Sequence, residues 1–238
     1  MAITGGYQVF LEIKALLNSE EVARLTALAE ELEFVDGRIT NRSHPGKNNL
    51  QIRGDLANAK QVESARIVAT AFPRCRKFCD FALPKCTSIP TLARYDPGMK
   101  YGAHADAALL PIPPNVTIPP NVILRADLSA TVFIADPSSY EGGELVVHLG
   151  ARSLAFKGAP GDAVVYPATH LHEVRPVTAG SRLVSIMFIE SRIADHHRRT
   201  QLYELADVAA LEGGKMSWDN RVRLDMVLEN LTRMWSDT

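Results

Sequence analysis

Apolar residues follow a helical spacing in the first third of the chain. In NSEEVARLTALAEELEF (residues 18–34) they recur at three- and four-residue steps behind an Asn/Ser start signal. The segment QVESARIVATAF (residues 61–72) shows the same spacing. Between the two lies a polar stretch rich in turn formers, residues 35–52. The pattern predicts two helices joined by a loop that is long enough to carry function.

From Thr91 onward the spacing changes to short apolar and β-branched runs that are separated by turn signals such as DPG, EGG, APGD and TAGS. The runs are TLARY, LSATVFIA, GELVVHL, SLAF, DAVVYPA, HEVRPV and RLVSIMFIE. Many short strands at this interval are typical of a sandwich or a jelly roll. The fold expected is therefore mainly β with flanking helices, with a double-stranded β-helix (jelly-roll) core at about 90–190.

After Ser191 the spacing is helical again, in two stripes that Gly213 and Gly214 separate. The stripes are Leu202, Leu205, Val208 and Leu211, then Leu224, Leu228, Leu231 and Trp235. We therefore expect one domain at 1–190, with a helical N-terminal part at 1–88, and a C-terminal helical extension at 191–238. The stripes either cover the core or form a homodimer contact.

Composition is ordinary for a globular protein. The chain has 238 residues, of which 46% are hydrophobic and 22% charged, and its formal net charge is -1. A protein that binds nucleic acid usually carries a basic excess, so we expect no nucleic-acid partner. The start of the chain lacks a signal-peptide pattern and no apolar run could span a bilayer, so we expect a cytoplasmic protein without a membrane partner.

The three cysteines indicate neither a disulfide framework nor a metal site. Cys75 and Cys79 are four residues apart and would share one face of a helix. Buried cysteine is common in protein cores, however, and no histidine nearby completes a set of four ligands.

A His-x-Asp pair marks the candidate metal site. His104 and Asp106 are two apart, and residues i and i+2 of a strand point to the same face. His172, which precedes a strand-like run, would lie next to them if the first and last core strands are neighbours. Two histidines and one carboxylate leave part of an octahedron open, as in non-haem Fe(II) oxygenases. His170, and less so His148, compete with His172 for the third position.

Arg182 is the candidate anion-binding residue. It stands in the otherwise apolar run RLVSIMFI and requires a carboxylate partner. The segment HEVRPVTAGSRLVS is predicted to form two strands joined by a turn at TAGS, which would let His172 and Arg182 point into one cavity. The alternative is a salt bridge between Arg182 and an internal Asp or Glu.

The motifs together resemble the bacterial PKHD-type hydroxylases, relatives of the prolyl and lysyl hydroxylases in the Fe(II)/2-oxoglutarate superfamily. The resemblance covers most of the chain. It rests on DGR, KNNLQ, RYDPGMKYGAHAD, RADLSATVFIADPSSYEGGELVV, GDAVVYPATHLHEVRPVTAGSR and the helical tail after FIESRIADHHRR.

The resemblance implies a role for each matching residue. His104, Asp106 and His172 would hold Fe(II), and His172 follows a leucine as in the family. Arg182 would bind the far carboxylate of 2-oxoglutarate, assisted by Tyr95, although Tyr101 is also close. His170 would support the site from outside the ligand set.

The implied reaction consumes 2-oxoglutarate and O₂, releases succinate and CO₂, and hydroxylates a substrate, with ascorbate as an accessory reductant. Halogenating relatives have a small residue in place of Asp106, so its presence implies hydroxylation. The substrate expected is amino-acid-like, peptidyl or another small molecule. The alternatives are a non-catalytic metal- or ligand-binding jelly roll that acts as a sensor, a cupin-type isomerase and a zinc hydrolase.

Two loops are expected to determine substrate choice. They are the polar loop at 35–52 and the segment at 107–124, which contains the proline-rich PIPPNVTIPPNV at 111–122. Proline at this density predicts a stiff extended loop rather than a central strand. Arg38, Arg42 and Lys47 suggest a polar or anionic substrate, while a solvated loop is the simpler interpretation.

Overall fold

The computed structural model describes residues 9–41, 44–112 and 121–237. Its strands are β1 (Leu11–Ile13), β2 (Phe34–Asp36), β3 (Lys47–Asn48), β4 (Leu50–Ile52), β5 (Pro84–Thr87), β6 (Thr91–Tyr95), β7 (Lys100–His104), β8 (Leu109–Pro111), β9 (Ile123–Arg125), β10 (Leu128–Phe133), β11 (Tyr140–Gly142), β12 (Leu145–Leu149), β13 (Arg152–Phe156), β14 (Ala163–Pro167), β15 (His172–Val174), β16 (Val177–Gly180) and β17 (Arg182–Ser191). Its α-helices are α1 (Ser19–Glu31), α2 (Ala59–Ala71), α3 (Arg76–Ala82), α4 (His196–Glu212) and α5 (Trp218–Trp235).

Two antiparallel sheets form the core. The larger sheet has the order β1-β14-β10-β17-β6-β4-β2, with β5 beside β17, and the smaller has the order β13-β12-β15-β7-β3. One buried cluster combines Phe133 and Val184 of the larger sheet with Leu145 and Val174 of the smaller, so the two sheets face each other. This arrangement confirms the predicted jelly-roll core.

Successive side chains of β10 point alternately to the outer and the inner face of the larger sheet. Leu128, Ala130 and Val132 lie in the cluster that also contains residues of the helices, whereas Phe133 lies in the cluster between the sheets. Ser129 and Thr131 share the inner face with Phe133 and are buried. The space between the sheets is therefore polar at one end.

The predicted N-terminal helices are present and cover the outer face of the larger sheet. Asn18 caps α1 in a reciprocal capping box with Glu21, and Leu25 and Leu28 of that helix are fully buried in the outer cluster. The predicted segment 61–72 corresponds to α2, while the short α3 was not predicted.

The expectation that residues 1–88 are helical is incomplete, because this part also contributes strands. β1, β2, β4 and β5 join the larger sheet and β3 joins the smaller one. These strands are two to four residues long. Runs this short hold too few alternations to reveal a strand, and pairing with longer neighbours stabilises them.

The predicted hairpin across TAGS is wrong. The strand that contains this segment, β16, pairs with β11, and β17 begins at Arg182 in the larger sheet. Gly180 has φ of 71°, and a Cβ there would lie 2.1 Å from the carbonyl oxygen of Ser139, so only glycine fits this crossing. His172 and Arg182 therefore lie on facing sheets.

The C-terminal extension forms two helices, as predicted. α4 packs against α3, and α5 packs against α4. Leu202 and Tyr203 of α4 are buried, whereas α5 buries no residue fully. Among the described residues, no helix has the length and apolar character needed to cross a membrane.

Candidate metal centre and cosubstrate pocket

Neighbouring strands of the smaller sheet bring the candidate metal ligands together. β15 pairs with β7 so that His172 lies opposite His104, and Asp106 follows two residues after the end of β7. Oδ1 of Asp106 lies 3.9 Å from Nε2 of His104 and 3.6 Å from Nε2 of His172. In the described part of the chain, these residues form the only group of three or more His, Cys, Asp or Glu residues close enough to share a metal ion.

Backbone carbonyls orient both imidazoles. Nδ1 of His104 lies 2.8 Å from the carbonyl oxygen of Gly102, and Nδ1 of His172 lies 3.0 Å from that of His170. A carbonyl oxygen only accepts hydrogen bonds, so each Nδ1 carries the proton and each Nε2 keeps its lone pair. Both lone pairs are thereby available for a metal ion beside Asp106.

Burial suits the three residues to a divalent cation. It lowers the pKa of His104 to about 4, so this imidazole is neutral at physiological pH. Burial also raises the pKa of Asp106, although the charge of His172 and a hydrogen bond from Ser129 act in the opposite direction. The Oδ2 atom of Asp106 has no hydrogen-bond partner. A cation between the three side chains would favour the ionised carboxylate and satisfy that oxygen. The residues therefore fit the Fe(II) ligand set.

Ser129 is expected to position Asp106. It is buried on the inner face of β10, and its hydroxyl hydrogen-bonds the Asp106 carboxylate. We expect Ser129→Ala to weaken metal binding by about 10- to 100-fold, the usual effect of losing an outer-shell partner. Titration of Fe(II) or Mn(II) into the metal-free protein measures this change.

Ser185→Ala is the matched control for that prediction. Ser185 is equally buried in the larger sheet, and its hydroxyl has no hydrogen-bond partner. Its strand neighbours Val184 and Met187 belong to the inner and outer clusters respectively, which places Ser185 on the outer face with Met187. Equal metal affinity of the Ser129→Ala protein and the wild type would show that Asp106 is held without Ser129.

Arg182 is buried between the sheets without an anionic partner. It is 1% exposed, and its Nε and Nη1 atoms form no hydrogen bond. Its guanidinium lies 5.0 Å above the ring of Tyr95, which is in register on the neighbouring strand, and it hydrogen-bonds the hydroxyl of Tyr140. The described residues supply no salt bridge to Arg182. Unpaired buried donors in a fixed fork are the arrangement that a carboxylate ligand would satisfy.

Two buried tyrosines lie between the metal ligands and Arg182. Burial raises the pKa of Tyr95 to about 12 and also raises that of Tyr166, so both remain neutral. Tyr166 interacts with Ser129 and Thr131 through side-chain hydrogen bonds, and its ring lies 5.1 Å from that of His172. Neutral tyrosine hydroxyls therefore lie between the metal ligands and Arg182.

The sequence reasoning missed four residues that contact Asp106, Arg182 or Tyr166, or lie beside His172. They are Ser129, Thr131, Tyr140 and Tyr166. The signal for Ser129 and Thr131 was present in LSATVF, where polar side chains alternate with buried apolar ones. No local sequence pattern predicted that Tyr140 lies beside Arg182, because the pairing of β11 with β16 brings Tyr140 opposite Gly180.

The competing residues lie outside the ligand group. His148 is half-exposed, with its Nε2 atom 3.9 Å from Glu173. The His170 ring faces that of His196 at 6.4 Å, and only its backbone carbonyl supports His172. Tyr101 lies in the smaller sheet and stacks on His104, so Tyr95 is the one that contacts Arg182.

Several other predicted features lie away from the metal ligands or outside the described residues. The three cysteines are half-buried free thiols. Arg38 pairs with Asp36 at the surface. Arg42 and residues 113–120 of the proline-rich segment are outside the described residues, and its flanks form the ribbon of β8 and β9.

Comparison with known proteins identifies the family to which the chain belongs. Residues 90–190 match the family model of the 2OG-Fe(II) oxygenase superfamily. A PKHD-type hydroxylase of Sphingopyxis alaskensis is 45% identical over 92% of this chain and 96% of its own length. One from Paracoccus denitrificans is 36% identical over 97% of this chain and 100% of its own. A prolyl-4-hydroxylase structure from Pseudomonas putida is similar in fold, with a TM-score of 0.55 and 16% identity over 77% of this chain and 93% of that one.

The fold and the family match define an Fe(II)- and 2-oxoglutarate-dependent oxygenase. Within that class, the chain belongs to the PKHD-type hydroxylases. The resemblance seen in the motifs is thereby confirmed, and so is the prediction of a dioxygenase that hydroxylates its substrate.

Proposed function

We propose that this hydroxylase binds Fe(II) through His104, Asp106 and His172, and 2-oxoglutarate through Arg182 with Tyr95. The observation that carries this proposal is that the interior between the two facing sheets has two unlike ends. At one end are two imidazole lone pairs and an unpaired carboxylate oxygen. At the other end, a buried guanidinium lacks an anion. A dicarboxylate with a metal-chelating keto-acid end matches both.

The chain's own residues would bind and orient the reactants. The metal and 2-oxoglutarate, when bound with O₂, supply the oxidation of a C–H bond, with succinate and CO₂ as products. Arg182 holds the distal carboxylate through its planar fork and fixes the direction of the keto acid. Tyr95 and Tyr166 exclude water while remaining neutral. The carbonyls of Gly102 and His170 keep the imidazoles in the ligating tautomer.

The substrate proposed is an amino-acid-like, peptidyl or other small molecule. Succinate release in the presence of Fe(II), ascorbate and 2-oxoglutarate, measured across a panel of amino acids, peptides and small metabolites, tests the proposal. Substrate-stimulated release with a hydroxylated product is expected. Tight iron binding without succinate release from any panel member would contradict it and favour a non-catalytic sensor.

We further propose that residues 1–190 form the oxygenase domain and that the extension at 191–238, whose α4 packs on that domain through α3, forms a homodimer contact. On α5, Trp218, Val222 and Met226 recur every four residues, and Trp218 is 78% exposed. The helix carries Asp219 in its first turn and Arg233 in its last. Antiparallel pairing of two copies would bury the apolar stripe and bring these opposite charges together.

A double substitution tests the dimer. Val222→Glu with Met226→Glu would place four carboxylates in a symmetric contact, so we expect the wild type to be a dimer and the variant a monomer. Light scattering coupled to size-exclusion chromatography measures the mass. Val62→Glu is the control, since Val62 is a comparably exposed apolar residue on α2. A monomeric wild type would refute this interface.

A further inference from the structure

Lys47 is a buried lysine on β3, the strand that pairs with β7, which ends at the metal ligand His104. It is 7% exposed and lies on β3, the edge strand of the smaller sheet, in register with Tyr101 of β7. Its Nζ atom donates to Oγ1 of Thr40 at 2.6 Å and to Oε1 of Gln51 at 3.5 Å. Lysine is rarely this buried unless an anion accompanies it.

No anion in the described part of the chain neutralises this charge by contact. Both hydrogen-bond acceptors of Lys47 are neutral, and Asp36 pairs with Arg38 instead. Burial lowers the pKa of Lys47 to about 8, which the charges of Asp106 and Asp36 oppose from a distance. The side chain is therefore mostly protonated at neutral pH, and its third N–H can serve a ligand.

One aromatic ring separates Lys47 from the metal ligands. Nζ lies 5.0 Å from the centroid of Tyr101, and the Tyr101 ring stacks at 3.6 Å on that of His104. Asn41 donates to the Tyr101 hydroxyl at 3.0 Å. His44 packs its ring edge-to-face on both Tyr101 and His104. These residues surround Tyr101 and His104 on the smaller sheet, whereas Arg182 lies in the larger sheet.

We propose that Lys47 is a specificity-determining residue that binds a carboxylate of the substrate. This inference rests on the proposed function, because it assigns the distal end of 2-oxoglutarate to Arg182 and leaves Lys47 for the substrate. A single ammonium beside neutral hydroxyl and amide groups suits a singly charged carboxylate. A phosphate dianion would be matched better by an arginine fork or by several cations than by one ammonium. The substrate class is thereby narrowed to carboxylate-bearing amino acids and peptides.

Side-chain NMR of lysine ammonium groups tests the assignment. The full chain is loaded with Zn(II), a diamagnetic substitute that prevents turnover, and with 2-oxoglutarate. The probes are N-acetyl-L-proline, N-acetyl-L-leucine and N-acetyl-L-lysine, each paired with its carboxamide, and inorganic phosphate. We expect the carboxylates to shift the Lys47 signal and to bind about tenfold or more tightly than the carboxamides.

Two variants give the test its specificity. Lys47→Met keeps the length of the side chain and removes the charge, and we expect it to abolish the preference for carboxylates. Lys100→Met is the matched control, since Lys100 is an exposed lysine opposite Asn48 on the paired strand, and it should keep the preference. Thermal unfolding confirms that each variant is folded. If Lys47→Met does not fold, the shifts of the Lys47 ammonium signal in the wild-type protein, with carboxylates and with carboxamides, test the inference by themselves.

Failure of this inference differs from failure of the proposed function. If 2-oxoglutarate binds through Arg182 but no carboxylate shifts the Lys47 signal, or carboxamides shift it equally, Lys47 does not recognise the substrate. Tighter binding of phosphate than of any carboxylate would also overturn the inference. If 2-oxoglutarate itself binds through Lys47 and not Arg182, both assignments fail.

Discussion

The His172→Ala protein should lose iron-dependent succinate release, with a fall of more than about 100-fold. His172 supplies one of two imidazole lone pairs beside Asp106, and its Nδ1 atom is already bound to a carbonyl. Removal of an outer-shell partner alone lowers metal affinity or activity by about 10- to 100-fold, so loss of a ligand should exceed this. Iron titration and succinate release, measured on the same protein preparation, check the result.

His148→Ala is the control for this experiment. His148 lies in the same sheet but is half-exposed, and its ring is near Glu173 rather than the metal ligands. It should retain the iron affinity and the activity of the wild type. Full iron-dependent activity in the His172→Ala protein would refute the ligand assignment and reopen the candidacy of His170.

The Arg182→Met protein should need a far higher concentration of 2-oxoglutarate. Truncating one partner of a buried, hydrogen-bonded charge pair costs about 2–5 kcal/mol. At about 1.4 kcal/mol for each factor of ten, the KM for 2-oxoglutarate should rise by at least about 25-fold. Iron affinity should change little, because Arg182 lies in the sheet that faces the two histidines. Calorimetric titration of 2-oxoglutarate provides a measurement independent of turnover.

Two further substitutions make the result specific. Arg182→Lys keeps a positive charge but lacks the planar fork, so its affinity for 2-oxoglutarate should lie between those of the wild type and Arg182→Met. Arg94→Met is the control on the neighbouring strand β6, where Arg94 pairs with Asp96. Unchanged 2-oxoglutarate affinity in Arg182→Met would refute the role of Arg182 as the cosubstrate anchor.

Local patterns predicted the parts of the fold that are long or strictly periodic. The run TLARY coincides with β6, and the predicted strand RLVSIMFIE differs from β17 by one residue at its end. The spacing of His104 and Asp106 predicted their convergence, although Asp106 lies just beyond β7 rather than on it. Here a local signal was sufficient, because neighbouring residues determine the outcome.

Other parts depend on contacts between distant segments, which spacing does not encode. The ten residues between His172 and Arg182 suggested one hairpin, but the chain crosses between the sheets at Gly180. The short strands β3 and β4 form only because β7 and β6 offer them partners. The burial of Lys47 likewise follows from that pairing, since the polar loop alone indicated a solvated surface.

The two carbonyl groups that orient the histidines have an evolutionary consequence. Each belongs to the residue two positions before the histidine that it supports, and it is backbone rather than side chain. Substitutions elsewhere therefore leave the imidazole orientation intact as long as the strands keep their paths. We therefore expect substitutions in the neighbouring loop to change which molecule is oxidised while both imidazoles keep their orientation.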